Sequence, residues 1–253
     1  MIISVINLSD GGVSDADLQR AIRAVNRQID EDFAPYWGFG AHLRLEGRSG
    51  RKKRTLDQAD MRGDAVLYVR DLVRIRDAEG YHDANFAGIP YGFVFLELSK
   101  KLKEAWSVTL SHEALELLAD PEANLLVQGP HPKQPKRQVF HWFEMCDAVQ
   151  NETYLLDGVA VSNFVLPLYF TSSDEKGGRN DFLGTLGPDG QSLRSFSVNP
   201  GGYIGFFDPK EREDVTWSLD DDAKGKKRLK EKHDRRVGRG QKRRRPRASA
   251  EAV

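Results

Sequence analysis

The chain has 253 residues, 39% hydrophobic and 30% charged, with 38 Lys and Arg balanced by 38 Asp and Glu. No apolar run nears the roughly 20 residues of a membrane-spanning helix, so no membrane span is expected. A single cysteine, Cys146, excludes an internal disulfide and fits a reducing cytoplasm.

The balanced charge hides an asymmetry. Residues 224–253 hold 14 Lys and Arg and 3 acids, so this tail carries +11 and the rest of the chain −11.

Residues 2–8 (IISVINL) read as a first strand; no basic segment or small-residue cleavage site marks a secretory signal. Ser14 is a helix N-cap with Asp17 three residues on. The helix is expected to run to about Phe33, because Leu18, Ile22, Val25, Ile29 and Phe33 recur at helical spacing, and to stop at Pro35. Phe39, Ala41, Leu43 and Leu45 alternate as one face of a strand, and a basic loop follows at 48–54. Residues 65–69 form a short apolar strand. GYHDANFAGIP reads as a loop, with His82-Asp83 a surface turn that at most borders a cleft. Residues 91–98 (YGFVFLEL) read as a strand, and VTLSHEALELLADP, 108–121, as a helix.

Beyond Pro121 the texture changes. Gly129, Pro130, Pro132 and Pro135 mark a loop. Residues 139–145 are a strand or a tight loop, and 154–168 a hairpin about Asp157-Gly158. Gly177-Gly178 and Gly187-Pro188-Asp189-Gly190 punctuate loops, and 203–207 is a last strand. The expected class is α+β: one domain over 1–220 with a mixed sheet, and a tail over 221–253 too poor in apolar residues to fold alone.

Ionisable groups in the 108–121 helix raise the chemical question. His112 and Glu116, four apart, share one helix face, and Glu113 points about 100° round the axis. The neighbours Val108, Leu110, Ala114, Leu115, Leu117 and Leu118 are apolar, so the helix is expected to be half-buried. Burying ionisable groups is costly unless they are paired or bind a metal. A His and a Glu at this spacing can ligate one divalent ion, while Glu113 serves as general base toward a water that the ion acidifies. The ordinary reading is a satisfied core histidine beside two solvated glutamates.

His112-Glu113-Ala114-Leu115-Glu116 resembles the HExxH helix of zincin metallopeptidases, with glutamate in place of the second histidine. SHEALELLADP followed by FEMCDAV resembles a group of bacterial zincin-like proteins that share SHExxE and a later acidic segment. The resemblance implies a zincin-like domain and a zinc peptidase, with residues 91–98 as an edge strand that pairs with an extended substrate. It implies a third ligand from 140–147: Glu144 by analogy, with Asp147 close behind and His141 also a candidate. Asp120 would orient a ligand. Glutamate for histidine makes the site harder, so Mn2+ or Fe2+ stand beside Zn2+ as candidate ions.

Cys146 with His141 could form a nucleophile–base pair, but a lone cysteine is more often a small packing residue. The basic tail suits nucleic acid or another polyanion, and with no aromatics it gives no sign of sequence-specific recognition. The expected function is a cytoplasmic metal-dependent hydrolase acting on peptide or protein. The alternatives are a non-catalytic metal-stabilised protein and a polyanion binder.

Overall fold

The computed structural model describes residues 1–46, 63–71, 80–84, 89–171, 178–187 and 189–219. The basic loop at 48–54 and the 221–253 tail lie outside the described residues. The class is α+β, as the sequence indicates. Among the described residues no helix is long and apolar enough to cross a membrane.

The first half builds a five-stranded mixed sheet in the order β2-β1-β3-β5-β4. Strands β1 (Ile2–Asn7), β2 (His42–Glu46), β3 (Ala65–Arg70) and β5 (Pro90–Phe95) run parallel, while β4 (Gly80–Ala84) runs antiparallel to β5. Ile3, Val5, Leu67, Val69 and Val94 are fully buried, because helices cover a face of a parallel sheet. Helix α1 (Asp15–Arg27) starts where expected: the Ser14 hydroxyl accepts the Asp17 N–H at 3.0 Å.

Three expectations are corrected here. Pro35 does not end the first helix. The chain widens into a π-helical segment, Gln28–Phe33, and Pro35 sits in the first turn of α2 (Ala34–Trp37), where its missing N–H costs nothing. Gly38, at φ 75°, makes the stop. The stretch read as a loop around His82 contains β4, and β4 is the sheet edge. The 91–98 stretch is instead an interior strand between β3 and β4, ending at Phe95, after which helix α3 (Leu96–Leu102) begins.

Helix α4 (Trp106–Ala119) packs against β4, β5 and the β8–β9 hairpin (Thr153–Leu156, Val159–Ser162). The hairpin turns at Asp157 and Gly158, both at positive φ, as the Asp-Gly pair indicates. The second half adds an antiparallel sheet, β11-β10-β7-β6, from β6 (Leu126–His131), β7 (Gln134–Trp142), β10 (Tyr203–Asp208) and β11 (Glu213–Ser218). Pro130, read as loop punctuation, lies in β6. An edge strand tolerates a residue without an N–H, and the register shifts beside it. One hydrophobic core joins the halves, from Ile3 through Leu115 and Phe164 to Ile204.

Candidate metal centre

Helix α4 is buried almost all round, not half-buried: Ser107 and every residue from Thr109 to Ala119 are buried. A helix enclosed all round needs partners for each polar group it carries. Two serines face the hairpin. Ser107 Oγ donates to the Ala160 carbonyl at 2.7 Å, and Ser111 Oγ donates to Gln28 Oε1 at 2.6 Å while accepting the Ser162 N–H at 3.1 Å. These contacts fix the rotation of α4 and so the direction in which the next residue, His112, points.

His112 Nε2 lies 3.1 Å from Glu116 Oε1 and 3.3 Å from Asp147 Oδ1. Asp147 opens a 3-10 turn, Asp147–Val149, that follows β7. The turn is held by β10 and the loop before it. Asn199 N–H donates to the Ala148 carbonyl at 3.0 Å, and the Tyr203 hydroxyl donates to Asp147 Oδ1. Gly202 permits this approach, since a Cβ there would overlap the Ala148 carbonyl oxygen. The Cys146 N–H donates to Glu116 Oε1 at 3.3 Å.

His82, from β4, meets the same helix. Its Nδ1 is 3.6 Å from Glu113 Oε2 and 3.7 Å from Glu116 Oε2. His82 was read as part of a surface turn, yet it is 2% exposed. The sequence offered little sign of this, because GYHDA has one bulky β-former and no β-branched residue. The role of Tyr203 was also not read. Its signal was the Gly201-Gly202 pair before an aromatic strand, which marks close backbone approach.

The remaining candidates divide. Asp147 is in the cluster. Glu144 is half-buried beside it and, with His141, Asp147 and Tyr169, borders a cavity of about 10 Å³, room for about one water. Asp120 closes the turn after α4: its two carboxylate oxygens accept the Asn124 and Leu125 N–H groups at 3.0 and 2.9 Å. His141 lies in the second sheet, where Nε2 meets the Pro130 carbonyl at 2.9 Å and the ring packs against Phe196. Burial holds its pKa down to about 4, and neighbouring His131 adds to this against the opposing Pro130 contact. Cys146 is fully buried. Desolvation, then the Glu116 charge, pushes its thiol well above the usual range, which does not suit a nucleophile.

Two donor sets therefore meet at α4 and share Glu116. In the set His112, Glu116 and Cys146, and in the set His82, Glu113 and Glu116, one ligand atom per residue lies within 4.8 Å of the others. Asp147 stands beside the first set, its Oδ1 3.3 Å from His112 Nε2. Ligands bonded at 2.0–2.2 Å to one tetrahedral zinc stand roughly 3.3–3.6 Å apart. The two separations from His112 Nε2, 3.1 Å to Glu116 and 3.3 Å to Asp147, fall close to that range, as a shared ion requires.

No family model matches the chain, and neither the curated proteins nor the solved structures include a significant match to it.

Proposed function

We propose that this protein is a metal-dependent hydrolase, with zinc as the ion, held by His112, Glu116 and Asp147, and with peptide as the substrate class. The observation that carries the reading is the placement of His112 Nε2 within 3.3 Å of two carboxylate oxygens from separate elements. A single ring N–H can satisfy only one of them well; a cation in its place serves both.

A divalent ion in such a set supplies Lewis acidity and brings the pKa of a bound water down to about 7. The chain's own residues then have distinct tasks. Glu113, one turn position from His112, is the carboxylate that accepts the proton. His82 Nδ1 stands 3.6 Å from its Oε2. The Tyr203 hydroxyl fixes Asp147, and the Cys146 N–H fixes Glu116. Such outer partners commonly matter by 10–100-fold in metal affinity. Peptide as substrate is supported by β4, an edge strand beside α4 to which an extended chain can add.

One observation favours a second reading, an ion that only stabilises the fold. His82, His112, Glu113, Glu116 and Asp147 are all at most 7% exposed, and closed sites are typical of structural zinc. The experiment pairs metal analysis of the purified chain with a peptidase assay on casein and Glu113→Gln. The hydrolase reading expects about one ion per chain and proteolysis that Glu113→Gln abolishes while the ion stays. An ion with no proteolysis in either form gives the structural reading. A folded chain that takes up no zinc sinks both.

A further inference from the structure

We infer that the centre has a second cation position, formed by His82, Glu113 and Glu116, and that a divalent d-block ion bound there blocks Glu113. The inference rests on the reading that His112, Glu116 and Asp147 hold the first ion, and adds a regulatory state to the same site.

Glu116 is the wall between the two positions. Its Oε1 faces His112 Nε2 at 3.1 Å and the Cys146 N–H at 3.3 Å. Its Oε2 lies 3.7 Å from His82 Nδ1. His82 Nδ1 in turn lies 3.6 Å from Glu113 Oε2. The two oxygens of one carboxylate thus address two histidines brought in by different elements. The second set has one nitrogen and two carboxylate oxygens, which suits zinc or manganese. His82 is placed for it by the antiparallel β4–β5 register, in which it stands opposite Gly92, a residue with no side chain to crowd the ring.

A carboxylate that bridges two metal ions commonly holds them about 3.5–4 Å apart. Like charges at that distance repel, so the second ion binds more weakly than the first. It also draws on the Glu113 carboxylate, which then no longer accepts a proton. The first equivalent therefore loads the centre, and excess ion silences it. Cells keep free d-block ions scarce, and the weak position makes the centre responsive to a surplus.

The test is calorimetric titration of the full chain, freed of metal, with zinc alone. The wild type is expected to show a tight step and a second step at least ~10-fold weaker. His82→Ala and Glu113→Gln should each remove the weak step and leave the tight step within about threefold, while His112→Ala removes the tight step. If His82→Ala does not fold, Glu113→Gln, which keeps size and shape, carries the test. A wild type that stops at one tight equivalent up to millimolar zinc overturns the inference and leaves the first centre standing. So does a weak step that survives both substitutions, since that ion binds elsewhere. Loss of the tight step in folded His82→Ala also overturns it, because His82 then belongs to the first ion. A folded wild type that binds none removes the proposed function together with the inference.

Discussion

Ser111 and Gln28 lie 83 positions apart in sequence and meet at 2.6 Å in the core, with Ser111 Oγ donating to Gln28 Oε1. The same Gln28 donates to the Ser162 carbonyl at 2.8 Å, and the Ser162 N–H returns to Ser111 at 3.1 Å. This closed ring ties α1's continuation, α4 and β9 together one residue before His112. Ser111→Ala leaves a buried amide oxygen and a buried N–H without partners, at about 1–3 kcal/mol for each group and so about 2–6 kcal/mol together. We expect urea unfolding to show a loss in that range, with zinc affinity falling as α4 gains rotational freedom. A loss under ~0.5 kcal/mol would mean that the ring does not hold the helix.

Asp147 and Glu144 separate by geometry. Both border the water-sized cavity, and Asp147 Oδ1 also reaches His112 Nε2 at 3.3 Å. Competition against a chromophoric chelator should show Asp147→Ala weakening zinc binding by more than ~100-fold and Glu144→Ala by less than ~10-fold. The reverse order would make Glu144 the ligand and Asp147 its support.

Tyr203 is expected to act through Asp147. Tyr203→Phe removes the hydroxyl that donates to Oδ1 but keeps a ring that is fully buried. Zinc affinity should drop about 10–100-fold, while thermal stability of the metal-free chain changes little beyond one lost hydrogen bond. Equal zinc affinity in the two proteins would remove Tyr203 from the centre.

What the sequence disclosed follows a physical divide. The His112–Glu116 pair, the Ser14 cap and the Asp157-Gly158 turn are local: each depends on helix period, one side-chain hydrogen bond or two backbone angles. His82 was beyond local reading. Its strand has weak intrinsic preference for extension, and pairing with β5 creates it. Pro130 and Pro35 misled for a related reason. A proline disfavours structure only where its N–H is needed, and an edge strand or a first helical turn does not need it. Nor did periodicity reveal the full burial of α4, because a helix enclosed on every face has no solvent side to alternate with.

His141 should make the fold acid-sensitive. It is 2% exposed and its pKa is held at about 4, against the usual 6.5. In the unfolded chain it takes up a proton as pH falls through 6.5, whereas the folded chain resists until about pH 4. The stabilisation is therefore complete above pH 6.5 and is lost as pH falls toward 4, by on the order of 3 kcal/mol in total. Carboxylates titrate over part of this range, so the measurement is a difference. Unfolding free energies of wild type and His141→Phe, compared at pH 7 and pH 5, should diverge less in the variant, by about 1–2 kcal/mol. Parallel pH profiles would show that His141 is already protonated in the fold.

Residues 224–253 carry +11, and the rest of the chain −11. The tail has too few apolar residues to contribute to a core. Deleting 224–253 should therefore leave the unfolding free energy within about 0.5 kcal/mol. Any affinity for duplex DNA should disappear with the deletion, since phosphate contacts from Lys and Arg supply nonspecific binding. In the full chain that affinity should fall steeply between 50 and 200 mM salt, because each neutralised phosphate releases counterions. Competition from the acidic body for the same cations should keep the low-salt affinity modest. Binding by the truncated and full-length chains that is equal at both salt concentrations would place the contact on the body. No binding by either at 50 mM salt would leave the tail without a role in polyanion recognition.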